Sequence, residues 1–170
     1  MGKTCAFFGN DYDFMHNRKR ERRPKPELKE LIKKQAIRLI EKENVTDFLV
    51  GQIGGFEQDA YDTVLNIKKE YPHIRVILVI CSPTELNLID KDDSGYILHR
   101  RYFDDFICPD KCAVGYKRFC IIYRNRYIAQ HTDFIIAYNC YKGRVYQICQ
   151  TAANKGVTVI NLAEMKLNSI

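Results

Sequence analysis

Apolar residues in this chain gather in short runs that alternate with longer amphipathic stretches, and that alternation predicts the elements. Lys3 to Gly9 is a continuous apolar run closed by glycine, the pattern of a strand buried on both faces. Pro26 and Glu27 open a helix whose stripe is Leu28, Leu31, Ile32, Ile37, Leu39 and Ile40. Thr46 to Gly51 predicts a second strand and Asp59 to Tyr71 a second helix, with Ala60, Val64, Leu65 and Ile67 facing inward. Ile74 to Cys81 is the clearest strand, and Pro83 ends it. Asp105 to Cys108 is a weaker, shorter one. Tyr116 to His131 has helical spacing, Asp133 to Tyr138 is a strand, Val145 to Asn154 a helix and Val157 to Leu162 the last strand. Gly156 stands where the last helix would be capped.

Strands alternating with helices in this way imply βαβ units with right-handed crossovers. The expected architecture is an α/β, doubly wound, mostly parallel sheet of five to six strands with helices on both faces. At 170 residues, the chain suits one domain over 1–170, with a basic loop at 16–26 and an irregular insert at 84–103. A hydrophobic share of 46% against 28% charged is globular composition, and no apolar run reaches the ~18–20 residues of a membrane span. The short apolar start lacks the cleavage pattern of a secretory signal, and Ala6 spoils a myristoylation pattern. No membrane partner is expected.

Seven cysteines, an odd number without secretion signals, point to reduced thiols and a cytoplasmic setting. Cys108 and Cys112 are the one close pair. No second Cys/His pair stands at zinc-ligand spacing, so no metal and no cofactor are expected. The net charge of +6 is local: Arg18, Lys19, Arg20, Arg22, Arg23 and Lys25 against Glu21 contribute +5 of it. A short basic loop of this kind suits a solvated surface better than a nucleic-acid face, which spreads its charge.

In open α/β sheets, ligands bind beyond the carboxyl ends of the strands. The residues leaving those ends are therefore the candidates: Gly9, Asn10 and Tyr12 after the first strand, Gly54, Gly55, Glu57 and Asp59 after the second, and Tyr138, Tyr141, Lys142, Gly143 and Arg144 after the strand at 133–138. Glycines let backbone N–H groups approach a phosphate, and a following helix N-terminus adds partial positive charge. Neither the dinucleotide fingerprint nor the P-loop is present. The tyrosines offer stacking surfaces for a base. Arg124 and Arg126 lie about 200° apart on a helix, so at most one faces a given ligand, and the other braces the fold or reaches Asp133. The scattered histidines have no nucleophile partner at recognisable spacing.

The segments Lys3–Gly9, Gly51–Ala60, Arg124 through Tyr138 and Ala153–Asn161 together resemble the SLOG superfamily, which unites the Smf/DprA DNA-processing fold with the Lonely Guy phosphoribohydrolases. The likeness is greatest to its small stand-alone YpsA-like bacterial branch. It implies a Rossmann-like sheet, a pocket for nucleotides or nucleotide-derived signals, a bacterial or phage setting, and a homodimer or tetramer. The departures are specific. Gly9-Asn10-Asp11 replaces a Gly-His-Arg loop, Lys142-Gly143-Arg144 replaces Gly-Gly-Thr, and Gln147 stands where the hydrolases carry glutamate. Glutamine cannot act as a general acid or base, whereas Lys142 and Arg144 favour a multiply charged anion. The expectation is a binding module that senses or sequesters a nucleotide-type molecule. The alternatives are an N-glycosidic hydrolase of nucleoside monophosphates using Glu57, and a nucleic-acid accessory protein using the loop at 18–25.

Overall fold

The computed structural model describes residues 2–10, 26–51, 54–82, 102–114 and 117–165. Their elements run β1 (Lys3–Gly9), α1 (Pro26–Glu43), β2 (Val45–Val50), α2 (Gly55–Glu70), β3 (Arg75–Val79), β4 (Asp105–Ile107), α3 (Asp110–Val114), α4 (Lys117–Gln130), β5 (Phe134–Tyr138), α5 (Arg144–Ala153) and β6 (Thr158–Asn161), followed by a 3₁₀ turn at Leu162–Glu164. The basic loop up to Lys25, Tyr12, and the insert as far as Arg101 lie outside the described residues.

The six strands form one sheet in the order β4-β3-β2-β1-β5-β6, every pair parallel. The chain moves outward from β1 to β4, then returns to the other side of β1 for β5 and β6. The order therefore reverses between β1 and β5, which makes the fold Rossmann-like with its switch point there.

Strand alternation separates two cores. Cys5, Phe7, Phe48, Val50, Val76 and Ile136 pack with the stripes of α1 and α2. Ala6, Phe8, Leu49, Ile77, Ile135 and Ala137 face the other way, against Ile128 and Ala129 of α4 and Cys149 and Ala152 of α5. The central strands are apolar and buried through Cys5–Phe8, Phe48–Val50, Val76–Val79 and Phe134–Ala137 because both of their faces are covered there. The sequence pattern gave way at two places. The helix expected from Asp59 begins at Gly55, since Gly54 takes a left-handed conformation (φ 95°, ψ 164°) that lets the chain turn straight into α2. The short helix α3, in a stretch the pattern left as loop, follows Pro109.

All seven cysteines are free, and burial pushes the Cys5 thiol up and the Cys149 thiol up to about 11. Buried thiols of this kind stay protonated and inert. Among the described residues, no helix is long and apolar enough to cross a membrane.

The weak strand β4 is held at its start by Asp104. Its carboxylate accepts the Val76 N–H at 2.6 Å and pairs with Lys68, while its own N–H donates to the Val76 carbonyl at 2.9 Å. Arg75 then bridges Asp47 (3.4 Å) and Asp105 (3.2 Å) along the same edge. Partial burial raises the Asp104 carboxyl, but the Lys68 and Val76 hydrogen bonds and the Lys68 and Arg75 charges outweigh it and hold the pKa below the usual carboxylate value. A depressed folded-state pKa adds stability that is complete above the ordinary carboxyl pKa of ~3.9 and disappears as pH falls through the folded value. Asp104→Asn should therefore lower stability to urea at pH 7, and its difference from wild type should shrink as pH falls below about 4. A difference that does not change with pH would contradict this role.

Candidate functional site

The carboxyl ends of β1 and β5 are sewn together at the switch point. The Asn10 N–H donates to the Tyr138 carbonyl at 2.9 Å, and the Asn10 side-chain oxygen accepts the Cys140 N–H at 2.8 Å. One strand further, Asn161 repeats the device: it accepts the Asn139 N–H at 3.0 Å and donates to the Asn139 carbonyl at 3.1 Å. Asn10 is thus a buried structural stitch as well as a residue of the strand end. The Asn139 side-chain oxygen is buried without a hydrogen-bond partner among the described groups.

On the β2 side, the first turn of α2 carries the densest interactions. Phe56 lies against Gly9, where an added Cβ would meet its ring at 2.2 Å. The same ring stacks on Tyr138 at 6.1 Å between centroids. The room Gly9 leaves is therefore filled by an aromatic ring rather than by a phosphate.

Glu57, one residue on, is buried and faces Arg124 of α4, the helix on the opposite face of the sheet. Arg124 Nη2 reaches both Glu57 oxygens at 3.3 Å, and its Nε and Nη2 clasp the Asn125 side-chain oxygen at 3.1 and 2.9 Å. The pair passes over the end of β2 at Gly51, whose missing side chain makes the space. A Cβ there would lie 2.3 Å from Glu57 Oε2 and 2.8 Å from Arg124 Nη1.

On the β5 side, Tyr141 and Lys142 are exposed and lead into α5. Gly143 is the N-cap of α5 in an extended conformation, and its glycine serves the Tyr141 ring, 2.6 Å from the Cβ position. Neither the α2 nor the α5 N-terminus is capped by a side chain. Their leading N–H groups, with the dipole of each helix, face the carboxyl end of the sheet on either side of β1.

The predicted residues thus divide. Gly9, Asn10, Gly54, Gly55, Glu57, Tyr138 and Arg124 gather at the ends of β1, β2 and β5, and Tyr141, Lys142, Gly143 and Arg144 border them. Asp59 points elsewhere: it is buried against α1, with its carboxylate 3.1 Å from Lys29 Nζ. Arg124 is the bracing arginine, through Glu57. The Asp133 carboxylate instead takes the Thr4 N–H at 2.8 Å. Arg126 is exposed in a groove between α4 and α5, with Arg144 on the opposite wall. The sequence reading missed Gly51, Phe56, Asn139 and Asn161. Only Gly51, a glycine ending an apolar run, carried a local signal. No protein-family model and no curated protein matches the chain.

Removing one partner of a buried ion pair leaves the other charge dry, at a cost of about 3–5 kcal/mol. Arg124→Met and Glu57→Met should each lose roughly that much stability to denaturant, while the double variant carrying both should recover most of it. Single losses that simply add in the double variant would contradict the pairing.

Proposed function

We propose that the chain binds a nucleotide or nucleotide-derived small molecule at the carboxyl ends of its strands, as a sensing or sequestering module related to the SLOG proteins. The observation that carries this is the pair of uncapped, glycine-led helix N-termini, at Gly54–Gly55 and Gly143–Arg144, that follow the two strands flanking β1 at the switch point. Orphan N–H groups and helix dipoles at the carboxyl end of the sheet favour an anion, and Lys142 and Arg144 add full charges beside the second helix. The half-buried Tyr138 ring, stacked on the buried Phe56, lies next to the first turn of α2, and the Asn139 oxygen is an acceptor in want of a donor.

Binding without hydrolysis is favoured by the fate of the carboxylates. A general acid or base must reach the proton it transfers. Glu57 is held by Arg124 at both oxygens, Asp59 by Lys29, and Gln147 is neutral.

The test uses nucleoside monophosphates, cyclic nucleotides and ADP-ribose, read by thermal shift and by release of free base. A ligand at 100 times its dissociation constant should stabilise the fold by about 2.7 kcal/mol, with no base released. Cys140 is exposed and its N–H is part of the strand-end stitch, so a binding nucleotide should also slow its alkylation by a maleimide. Stabilisation accompanied by base release would replace sensing with catalysis. A panel that neither stabilises the protein nor shields Cys140 would end the proposal.

A further inference from the structure

Between α4 and α5 lies a groove lined by both helices. Residues 144, 147, 148, 151 and 152 recur at the three- and four-residue spacing of one face of α5, with Lys155 in the turn just beyond it, and 122, 125, 126, 129 and 130 do the same on α4. Such facing stripes ordinarily close into an apolar joint. Here the floor is made of small residues, Ala129 and Ala152, and the walls combine Ile122 and Ile148 with polar and cationic side chains, leaving a groove of about 390 Å³. That volume lies in the range of small-molecule sites, roughly 300–1,000 Å³.

The lining charges are all of one sign. Arg126, Arg144 and Lys155 border the groove, no carboxylate does, and none of the three is ion-paired among the described residues. Cations gathered around a concavity repel one another and raise its affinity for an anion.

A second observation comes from Asn125, which also lines the groove although the residue is only 8% exposed. Two Arg124 donors occupy its side-chain oxygen, and this fixes the orientation of the amide. The Nδ2 group is left as a donor with no partner among the described residues. Its direction is therefore set by the buried Arg124–Glu57 pair rather than by solvent.

We infer that the α4–α5 groove is a second site, for a small phosphate monoester of about mononucleotide size. Arg126, Arg144 and Lys155 neutralise the phosphate, the Asn125 amide donates to it or to a ribose hydroxyl, and the Gln130 and Gln147 amides offer both donors and acceptors. A second copy of the chain is a poorer occupant, because a two-fold contact sets a patch against itself and would bring these cations together. This site shares Arg144 with the strand ends, but it does not depend on the strand-end reading.

The experiment measures AMP and inorganic phosphate binding to the full chain by calorimetry. Arg126→Ala and Lys155→Glu change exposed side chains and should leave the fold intact. Each should weaken AMP binding at the groove about tenfold or more, as loss of a charge-assisted contact requires. Lys142→Glu, which alters the strand end alone, should leave that binding event unchanged. AMP binding that is lost in Lys142→Glu and retained in the groove variants would overturn the second site while preserving the first. No binding of AMP or phosphate by wild type would overturn it, and so would self-association abolished by Lys155→Glu without any AMP binding.

Discussion

The buried ion pair between Arg124 and Glu57 is the constraint on which the strand-end region depends. It joins α4 on one face of the sheet to α2 on the other, reaching over the end of β2 instead of through the sheet. Two charges withdrawn from water incur a desolvation cost that their attraction repays only with good geometry and further hydrogen bonds. Arg124 Nη2 meets the carboxylate at both oxygens, and Nε together with Nη2 also donates to the Asn125 side-chain oxygen. What the pair gives is position more than stability. It ties the first turn of α2 to α4 over the end of β2 and orients the Asn125 amide.

That geometry changes what the glycines do. In a phosphate cradle, a glycine exposes its N–H to the ligand. At Gly9, Gly51 and Gly143 the missing side chain instead admits Phe56, the Arg124–Glu57 pair and Tyr141. Of the described glycines that leave the strand ends, Gly54 is the one held in a backbone conformation that an L residue rarely adopts. The strand ends are thus a packed platform of aromatic rings and one ion pair, with the leading N–H groups of two helices at its margin. A platform with its carboxylates already engaged suits recognition better than proton transfer.

The sheet was legible in the sequence because burial on both faces leaves a mark that survives without context. Lys3–Gly9, the run at 74–81 and the run at 133–138 could be read as strands one by one, and even the doubtful strand near Asp105 pairs with β3. The start of α2 was not legible, since Gly54-Gly55 has the composition of a loop and only the φ of Gly54 makes it a helix entry. Nor could the partner of Arg124 be read. Glu57 lies 67 positions away, and no periodicity links residues brought together only by the crossing of two layers. The groove is a different matter. Gln147, Thr151 and Lys155 follow one another at four-residue steps, so the polar stripe was present in the sequence, but its meaning waited on the helix that faces it.

The anionic ligand proposed above would be received by backbone N–H groups at the carboxyl end of the sheet. Amide-resolved NMR during a titration with AMP or ADP-ribose tests it most directly, because those N–H groups are the reporters. Gly55 and Phe56, the leading residues of α2 and remote from the α4–α5 groove, should show large shifts that saturate together, with Val145 at the start of α5 shifting as well. Shifts absent from both helix starts, at ligand concentrations that saturate any other site, would contradict it.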